Sequence, residues 1–489
     1  MRKNMNILLI RCLFNYYENI DNHAIVHEVS PPIGVMYIAS YLKKHFNNSL
    51  NVEILDLTIE NLDESVLSRF NPDICGLSGF STTSSIVLDT ARKIKEFDSK
   101  IIVVAGGPYI SADSEHALLD ENIDYGIVGE GEESLALIIE AIRRKELSDI
   151  KNVGGVAYRR YDNGNVNVVK NPMKRIGNLD ELPFPAYDLI KLDKYAEIPG
   201  RPKVKRKEAV LVSSRGCPYK CIYCHNIMGQ ETRMRSAKNL FDEVCLLYEE
   251  YGIKDFTILD DIFNIKHDRA LEFYNMIIRS NMKIKIYHQT GFRADISSEE
   301  LIDAAYEAGV VMLNFALESA VPRIQKLIKK NVNIEKLDRI VRYTCEKNII
   351  VGVFAMAGFP SETYDEALST IRYLQQLDKL TIVHLFFAKY YQGTEMHRLG
   401  VKMGFCIEDL EEQYEHCYAA TTTSTSTISS EQFQVLKGIF IKDVLFNKAR
   451  LMHAEKVLQF HYREAEIDEF YSTIFSKKIT NHRKYLNIG

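Results

Sequence analysis

The stretch SSRGCPYKCIYCHN, from Ser213 to Asn226, puts three residues between Cys217 and Cys221 and two between Cys221 and Cys224. Thiolates are the soft ligands that iron clusters and zinc demand, and so tight a loop can aim three of them at one cube. Structural zinc usually wants four protein ligands, and His225, directly beside Cys224, is poorly placed to be the fourth. Cysteines with a purely structural role are the other alternative. The spacing favours an iron-sulfur cluster with three protein thiolates and one iron left open. The other cysteines are Cys12, Cys75, Cys245, Cys345, Cys406 and Cys417, nine in all; an odd number, mostly scattered, argues for a reducing compartment with three grouped thiols reserved for metal.

A second set of candidates is rich in small residues. Ser78, Gly79, Ser81, Thr82 and Thr83, then Gly106, Gly107 and Pro108, then Gly129, Glu130 and Gly131 each follow a strand-like run. Small residues at strand carboxyl ends let backbone amides approach a ligand closely.

The elements that position these residues follow from hydrophobic periodicity. NILLI from Asn6 reads as a buried strand, Ile33–His45 as a helix behind Pro31 and Pro32, and Val52–Leu57 as strand again. Strand Ile74–Phe80, helix Ser84–Phe97 and strands Ile101–Gly107 and Asp124–Glu130 continue the alternation. This pattern predicts an α/β fold whose first part is a Rossmann- or flavodoxin-like parallel sheet that binds something at its strand ends. GGVAYRRYDNGNVNVVK, turning at Asn163-Gly164, predicts a hairpin, and LDELPFPAYDLI, from Leu179 to Ile190, an ordered linker. Six further strands, Glu208–Gly216, Asp255–Asp261, Lys283–Thr290, Val310–Ser319, Ile349–Gly358 and Thr381–Lys389, each before a helix, predict a partial (β/α)6 barrel with chemistry at its carboxyl ends. The run TTTSTSTISS, Thr421–Ser430, predicts a loop or cap ahead of a mainly helical carboxy-terminal region. The expected domains are residues 1–148, a hairpin and linker at 149–200, the barrel at 201–400 and helices at 401–489.

A chain of 489 residues suits two or three domains, and 46% apolar with 26% charged residues leaves no compositional sign of disorder. A net charge of -5 gives no overall basic field for a phosphate polymer, so nucleic acid is not the favoured partner. The amino terminus lacks the apolar core and cleavage site of a signal peptide, and no apolar run reaches spanning length, which predicts a cytoplasmic protein without a membrane span.

The cysteine triplet after the first barrel strand resembles the radical S-adenosylmethionine (radical SAM) superfamily, whose open iron is chelated by the amino and carboxylate groups of that cofactor. Tyr223 stands in the aromatic place before the third cysteine, which the family packs near the adenine. LDDIF with Asp260 and Asp261, Arg293 in GFRAD, Glu318 and Ser319 in ALESA, and GVFAMAGFPSET from Gly352 to Thr363 are similar to the later barrel motifs, in the same order. The resemblance implies a 4Fe-4S cluster on Cys217, Cys221 and Cys224, with Tyr223, Asp260, Arg293, Glu318, Gly352 and Gly358 around S-adenosylmethionine. Read alone, the acids fit helix caps, Arg293 a surface ion pair, and Gly358 with Pro360 a plain turn.

PPIGVMYIASYL at Pro31–Leu42, GGPY at Gly106–Tyr109, VGEGEES at Val128–Ser134 and LPFPAYDL at Leu182–Leu189 narrow this to the cobalamin-binding radical SAM proteins, class B methyltransferase-like, over about residues 5 to 400. That resemblance implies cobalamin near Ser78, Ser81, Thr82, Gly106, Gly107, Gly129, Glu130 and Gly131. Two departures matter: there is no Asp-x-His-x-x-Gly to supply a lower imidazole to cobalt, and Tyr109 stands where relatives often have His. A domain that keeps the fold and has lost the corrin is the alternative. The implied reaction is reductive cleavage of S-adenosylmethionine to a 5'-deoxyadenosyl radical and, with cobalamin, C-methylation of an unactivated carbon in a small-molecule or peptide substrate. The electron would come from a donor such as flavodoxin or ferredoxin. A cobalamin-dependent rearrangement or cyclisation without net methylation shares every motif; a non-catalytic cobalamin or redox sensor would not need an adenosyl cradle. KKITNHRKYL, Lys477–Leu486, is too short a basic end to predict a nucleic-acid module, and Tyr390-Tyr391-Gln392 replaces the usual Pro before Gly393-Thr394.

Overall fold

The computed structural model describes residues 5–14, 30–196, 207–404 and 427–475, and the chain divides into two compact units, Met1–Lys194 and Tyr195–Gly489. Cys406, Cys417, residues 421–426 of the Thr-Ser run and the basic stretch 477–486 lie outside the described residues. Among the described residues no helix is long and apolar enough to cross a membrane.

In the first unit, β1 (Met5–Cys12), β2 (Leu50–Asp56), β3 (Ile74–Gly79), β4 (Ile102–Gly106) and β5 (Tyr125–Ile127) are followed by the hairpin β6 (Val156–Asp162) and β7 (Asn165–Lys170). They form one sheet in the order β2-β1-β3-β4-β5-β6-β7. The first five are parallel, in flavodoxin-like order, which puts the topological switch point between β1 and β3. Helices α1 (Ile33–His45) and α2 (Ser84–Phe97) have the bounds that their periodicity predicts. They cover opposite faces: Val35, Ala39 and Leu42 pack in one apolar cluster, Val87, Ala91 and Ile94 in the other.

The hairpin turns through Asn163 and Gly164, both at positive φ (50° and 82°), the geometry of a two-residue turn that matches strand twist. It extends the sheet, because β6 pairs antiparallel with β5. The stretch predicted as a linker packs on the same unit: Leu179, Leu182, Ala186 and Tyr187 are buried, and the Ala186 amide donates to the Met36 carbonyl. Two prolines and three acids disguise that burial in the sequence, since the buried residues, Leu179, Leu182 and the run Pro185–Tyr187, follow no helix or strand period.

In the second unit β8 (Glu208–Leu211), a short antiparallel ladder of β9 (Ser214–Arg215) and β10 (Arg233–Met234), β11 (Asp255–Ile258), β12 (Lys285–Phe292), β13 (Val310–Glu318), β14 (Ile350–Ala357) and β15 (Ile382–Phe387) follow in sequence. All but β9 and β10 form one parallel sheet in the order β15-β14-β13-β12-β11-β8, the partial barrel. The run predicted as a single strand, Glu208–Gly216, breaks after Leu211 because Ser213 and Ser214 leave the sheet to bond Asp260. Four of the crossover helices start at side-chain caps, Ser236, Ser298, Asn333 and the Thr363-Glu366 capping box, each satisfying an amide that the first turn leaves unpaired; the helix His267–Ser280 has none. The carboxy-terminal helices Lys448–His461 and Glu464–Phe475 lay Leu451, Leu458, Ile467 and Phe470 against Tyr287, Met312, Ile350 and Ile382, at or near the starts of β12 to β15. They close the end of the barrel opposite the strand carboxyl ends.

Candidate functional site

The cysteine loop leaves the barrel through β9 and returns through β10, and backbone bonds hold it at both ends. The Cys217 amide donates to the Gly229 carbonyl, Asn226 Nδ2 to the Cys217 carbonyl (3.0 Å), and the Ile222 amide to the Ile328 carbonyl. Gly216 opens the loop at φ 88°, where a Cβ would lie 2.3 Å from the Glu231 carbonyl oxygen, so only glycine fits. Cys217 and Cys221 are half-buried and Cys224 exposed, all three as free thiols. His225 is committed elsewhere, its Nε2 2.5 Å from the Gln392 carbonyl. Among the described residues no group of three or more His, Cys, Asp or Glu is placed to hold a single metal ion. Three thiols on one braced loop suit the wider-spaced corners of a cube, and the residue types fit a 4Fe-4S cluster with one corner left to a non-protein ligand.

Two contacts tie this loop to the carboxyl ends of β12 and β13. The Arg293 guanidinium lies 3.9 Å above the centre of the Tyr219 ring and is held from the side by Asp295, with both bonds at 2.8 Å. Tyr223 donates through its hydroxyl to Glu318 Oε1 at 3.2 Å, and Lys330 Nζ donates to the same oxygen at 2.8 Å. Lys330 and Glu318 are each only 9% exposed, and the Arg293 guanidinium reaches the Lys330 carbonyl at 3.4 Å. Burial and the Glu318 carboxylate push the Tyr223 phenol well above its ordinary range, keeping it a neutral donor. Glu318 stands at φ 63°, a strained setting for a residue with a side chain, beside a register shift in the β13–β14 ladder. Lys330, Tyr219 and Asp295 are not apparent from the sequence, and the neighbouring Lys329 is spent on Glu395 at 2.6 Å.

The remaining predicted barrel residues have structural work that the sequence does not reveal. Asp260 is buried and takes bonds from the Ser213 and Ser214 amides and the Ser213 hydroxyl, bracing the entry to the cysteine loop. Gly352 makes room for a neighbour: a Cβ there would lie 1.9 Å from Asn314 Oδ1. Gly352→Ala is therefore expected to lower stability by about 1–3 kcal/mol, and Asn314→Ala to recover most of that loss; urea denaturation of both single variants and the double variant tests the coupling. Gly358, at φ 89°, approaches the Phe433 ring, and its amide donates to Glu362 at 2.6 Å.

Glu362 itself is fully buried, with its second oxygen unpartnered, and desolvation pushes its carboxyl up to about 7 against the opposing pull of the Gly358 and Phe359 amides. The folded state thus keeps a proton that the unfolded state releases near 4.5. The contribution is full below that value and is lost as pH rises through about 7, an amount on the order of 3 kcal/mol. Glu362→Gln is expected to flatten the decline in stability between pH 5 and pH 8, read from denaturant midpoints of the two proteins.

In the first unit Ser78, Ser81, Thr82, Gly106 and Gly107 come together as a partly exposed ledge at the ends of β3 and β4. Gly107, at φ 80°, lets the two turns touch, since a Cβ would sit 2.6 Å from Ser78 Oγ. Thr83 locks the ledge beneath by donating to the Cys12 carbonyl at 2.9 Å. The other three predicted residues are engaged with the chain itself. Gly129 accommodates Met173, whose Sδ lies 1.9 Å from its would-be Cβ; Gly131 accommodates Ile38; and buried Glu130 accepts from the Ile176 amide at 3.0 Å. Tyr109 turns into the core, where burial pushes its phenol up to about 12, so it does not face a ligand on the ledge. A ledge of small residues beside the switch point suits the approach of a large flat ring, and this part of the domain fits a corrin. A separate cavity of about 530 Å³ opens at the ends of β1 and β2, lined in part by Leu13, Phe14, Leu57, Ile86, Thr90 and Lys93.

Comparison with known proteins agrees with both halves. The model of the radical SAM superfamily matches residues 211–374, and that of the B12 binding domain residues 24–139. An uncharacterised methyltransferase of Pyrococcus horikoshii is 29% identical over 77% of this chain and 80% of its own length. The cytidylyl-2-hydroxyethylphosphonate methyltransferase of Streptomyces wedmorensis is 28% identical over 79% of this chain and 80% of its own. The solved structure of OxsB, a cobalamin-dependent S-adenosylmethionine radical enzyme, superposes with a TM-score of 0.71 over 98% of this chain and 71% of that one, at 17% identity, a likeness of fold. With a B12 binding domain ahead of a radical SAM domain, the chain belongs to the cobalamin-binding radical SAM enzymes, whose cofactors are a 4Fe-4S cluster, S-adenosylmethionine and cobalamin.

Proposed function

We propose that this enzyme C-methylates an unactivated carbon of a small-molecule or peptide substrate, taking electrons from a flavodoxin- or ferredoxin-type donor. The observation that carries the reading is the junction at which Tyr223 of the cysteine loop, Glu318 of β13 and Lys330 meet within 3.4 Å. When bound, the cofactors would supply reductive cleavage of S-adenosylmethionine and, from cobalamin, a methyl carrier. In this reading Cys217, Cys221 and Cys224 hold the cluster. Glu318, already gripped by a cation, offers its oxygens to the hydroxyls of the adenosyl moiety, and Lys330 offers its charge to a carboxylate. Tyr223 closes the floor between them as a neutral ring. Arg293 acts at one remove, by pressing on Tyr219 and fixing the loop. The ledge of Ser78, Ser81, Thr82, Gly106 and Gly107 would carry the corrin, and Tyr109, buried in the core, takes no part in holding it.

The test is anaerobic reconstitution with iron, sulfide and hydroxocobalamin, followed by dithionite and S-adenosylmethionine labelled in the methyl group. Formation of both 5'-deoxyadenosine and S-adenosylhomocysteine is the expected result. Deoxyadenosine with no S-adenosylhomocysteine would replace methylation by rearrangement or cyclisation. Neither product, from protein that carries a spectroscopically intact cluster, would sink the enzymatic reading altogether.

A further inference from the structure

One residue pins the middle of the cysteine loop to two helices. Between Cys221 and Cys224, the Ile222 amide donates to the Ile328 carbonyl at 3.1 Å and the Ile222 carbonyl accepts from the Met396 amide at 2.8 Å. The Ile222 side chain is buried with Ile324, Ile328 and Met396. The helices Pro322–Leu327 and Glu395–Lys402 thus turn their apolar sides to the loop that carries the thiols. Their other sides follow from helical spacing: Arg323 and Lys326 on the first, Glu395, Arg398 and Lys402 on the second, all exposed. Lys329 joins the two helices by holding Glu395 at 2.6 Å.

This surface is cationic on a chain whose net charge is -5. The two acids that touch it, Glu366 and Glu395, are each held by a cation of their own, Arg323 and Lys329, both at 2.6 Å. Lys326, Arg398 and Lys402 remain, joined by exposed Lys220 from the cysteine loop itself. Among the described residues none of these four forms an ion pair, whereas Lys238, Arg342 and Lys379 elsewhere on the same unit all do. Like charges gathered on one face repel, so the patch does not serve the stability of the fold. Four charges are also few for a phosphate polymer.

We propose that this face docks the electron donor, a small electron-carrier protein that presents an acidic surface to Lys220, Lys326, Arg398 and Lys402. The inference rests on the reading that the enzyme takes electrons from a flavodoxin- or ferredoxin-type donor, and it assigns the place where that donor sits. One electron passes from the carrier, which is oxidised, to the cluster, which is reduced, and no atom changes hands. The path is short. A carrier on the outer sides of the two helices is about one helix diameter, roughly 10 Å, from the cysteine loop, and Lys220, next to Cys221 in the chain, marks the nearest approach. A carrier must also arrive and leave at each turnover, and such encounters are small, weak and steered by charge. Val401, exposed beside Arg398 and Lys402, offers the limited apolar contact of a transient interface.

The experiment uses the full chain, anaerobically reconstituted, with an acidic flavodoxin as the probe. Its affinity is read by isothermal titration calorimetry at low and high salt, and cluster reduction by the photoreduced flavodoxin as bleaching in a stopped-flow instrument. The triple charge reversal Lys326→Glu, Arg398→Glu, Lys402→Glu is expected to weaken binding and slow reduction at least about tenfold at low ionic strength, and to remove the salt dependence that the wild type shows. Cluster content and the end point of reduction by dithionite should not change. Should the triple variant fail to fold, Lys402→Glu, at the end of its helix, decides by a smaller shift of about threefold in the same direction. A variant that flavodoxin binds and reduces as it does the wild type, or a wild-type affinity indifferent to salt, overturns the proposal. So does a wild type that flavodoxin neither binds nor reduces while dithionite reduces it. Deoxyadenosine formation with dithionite separates the two failures: if it is absent from protein that carries a cluster, the enzymatic reading has failed; if it is present without charge-dependent docking, the docking surface has.

Discussion

Replacing Cys217, Cys221 and Cys224 together by alanine is expected to give a folded chain that takes up no cluster and forms no 5'-deoxyadenosine. The loop would keep its shape because what holds it lies outside the thiols: the Cys217 and Ile222 amides, Asn226, and the stacked pair of Tyr219 and Arg293. Iron and sulfide analysis with electron paramagnetic resonance of the reduced protein reads the first effect, and product formation the second. Loss of all three ligands should exceed the roughly 10–100-fold cost of removing an outer-shell partner of a metal site. Cobalamin uptake is the internal control. The ledge of Ser78, Gly106 and Gly107 belongs to the first unit, whose sheet is complete without the cysteine loop, so corrin binding should survive. A triple variant that still assembles a cluster with the wild-type spectrum would remove these thiols from the site.

Lys330→Met is expected to produce the second-largest effect, and for a different reason. It leaves Glu318, 9% exposed, without the cation that sits 2.8 Å from its Oε1. Removing one member of a buried pair costs about 3–5 kcal/mol, because the remaining charge stays desolvated. Part of that appears as lost stability and part as weaker binding of S-adenosylmethionine, since nothing then holds the Glu318 carboxylate in place. Lys330→Arg keeps the charge and should restore much of the affinity. Glu318→Gln is the complementary change: it removes the carboxylate and leaves Lys330 unpaired. The reading is equilibrium dialysis with labelled S-adenosylmethionine on each reconstituted variant, beside a denaturant midpoint. Unchanged affinity in Lys330→Met, with stability alone reduced, would make the pair a brace of the barrel and nothing more. Arg235, bonded to Glu243 and both almost wholly buried, is a pair of that second kind: it ties the helix Ala237–Tyr251 to the end of β10.

The sequence by itself determined the order of elements, two helix boundaries to the residue, the hairpin turn and the cysteine spacing. These are local properties: periodicity, capping and turn chemistry each depend on a few consecutive residues. It also marked Glu318 and Tyr223 through motifs, though not the contact between residues 95 apart. What only the tertiary structure decided is how each marked residue is employed. Gly129 and Gly131 read like a ligand cradle, yet Met173 and Ile38 fill the space they leave. Asp260 reads like a cofactor contact, yet two amides and a hydroxyl of the neighbouring strand exit occupy it. Lys330 carries no signature, and becomes the centre of the site because a turn after the fourth barrel strand brings it under the cysteine loop. The physical reason is common to all of them: a glycine, an acid or a lysine is defined chemically by its own side chain, but its function is set by whichever atoms long-range packing puts within about 3 Å of it.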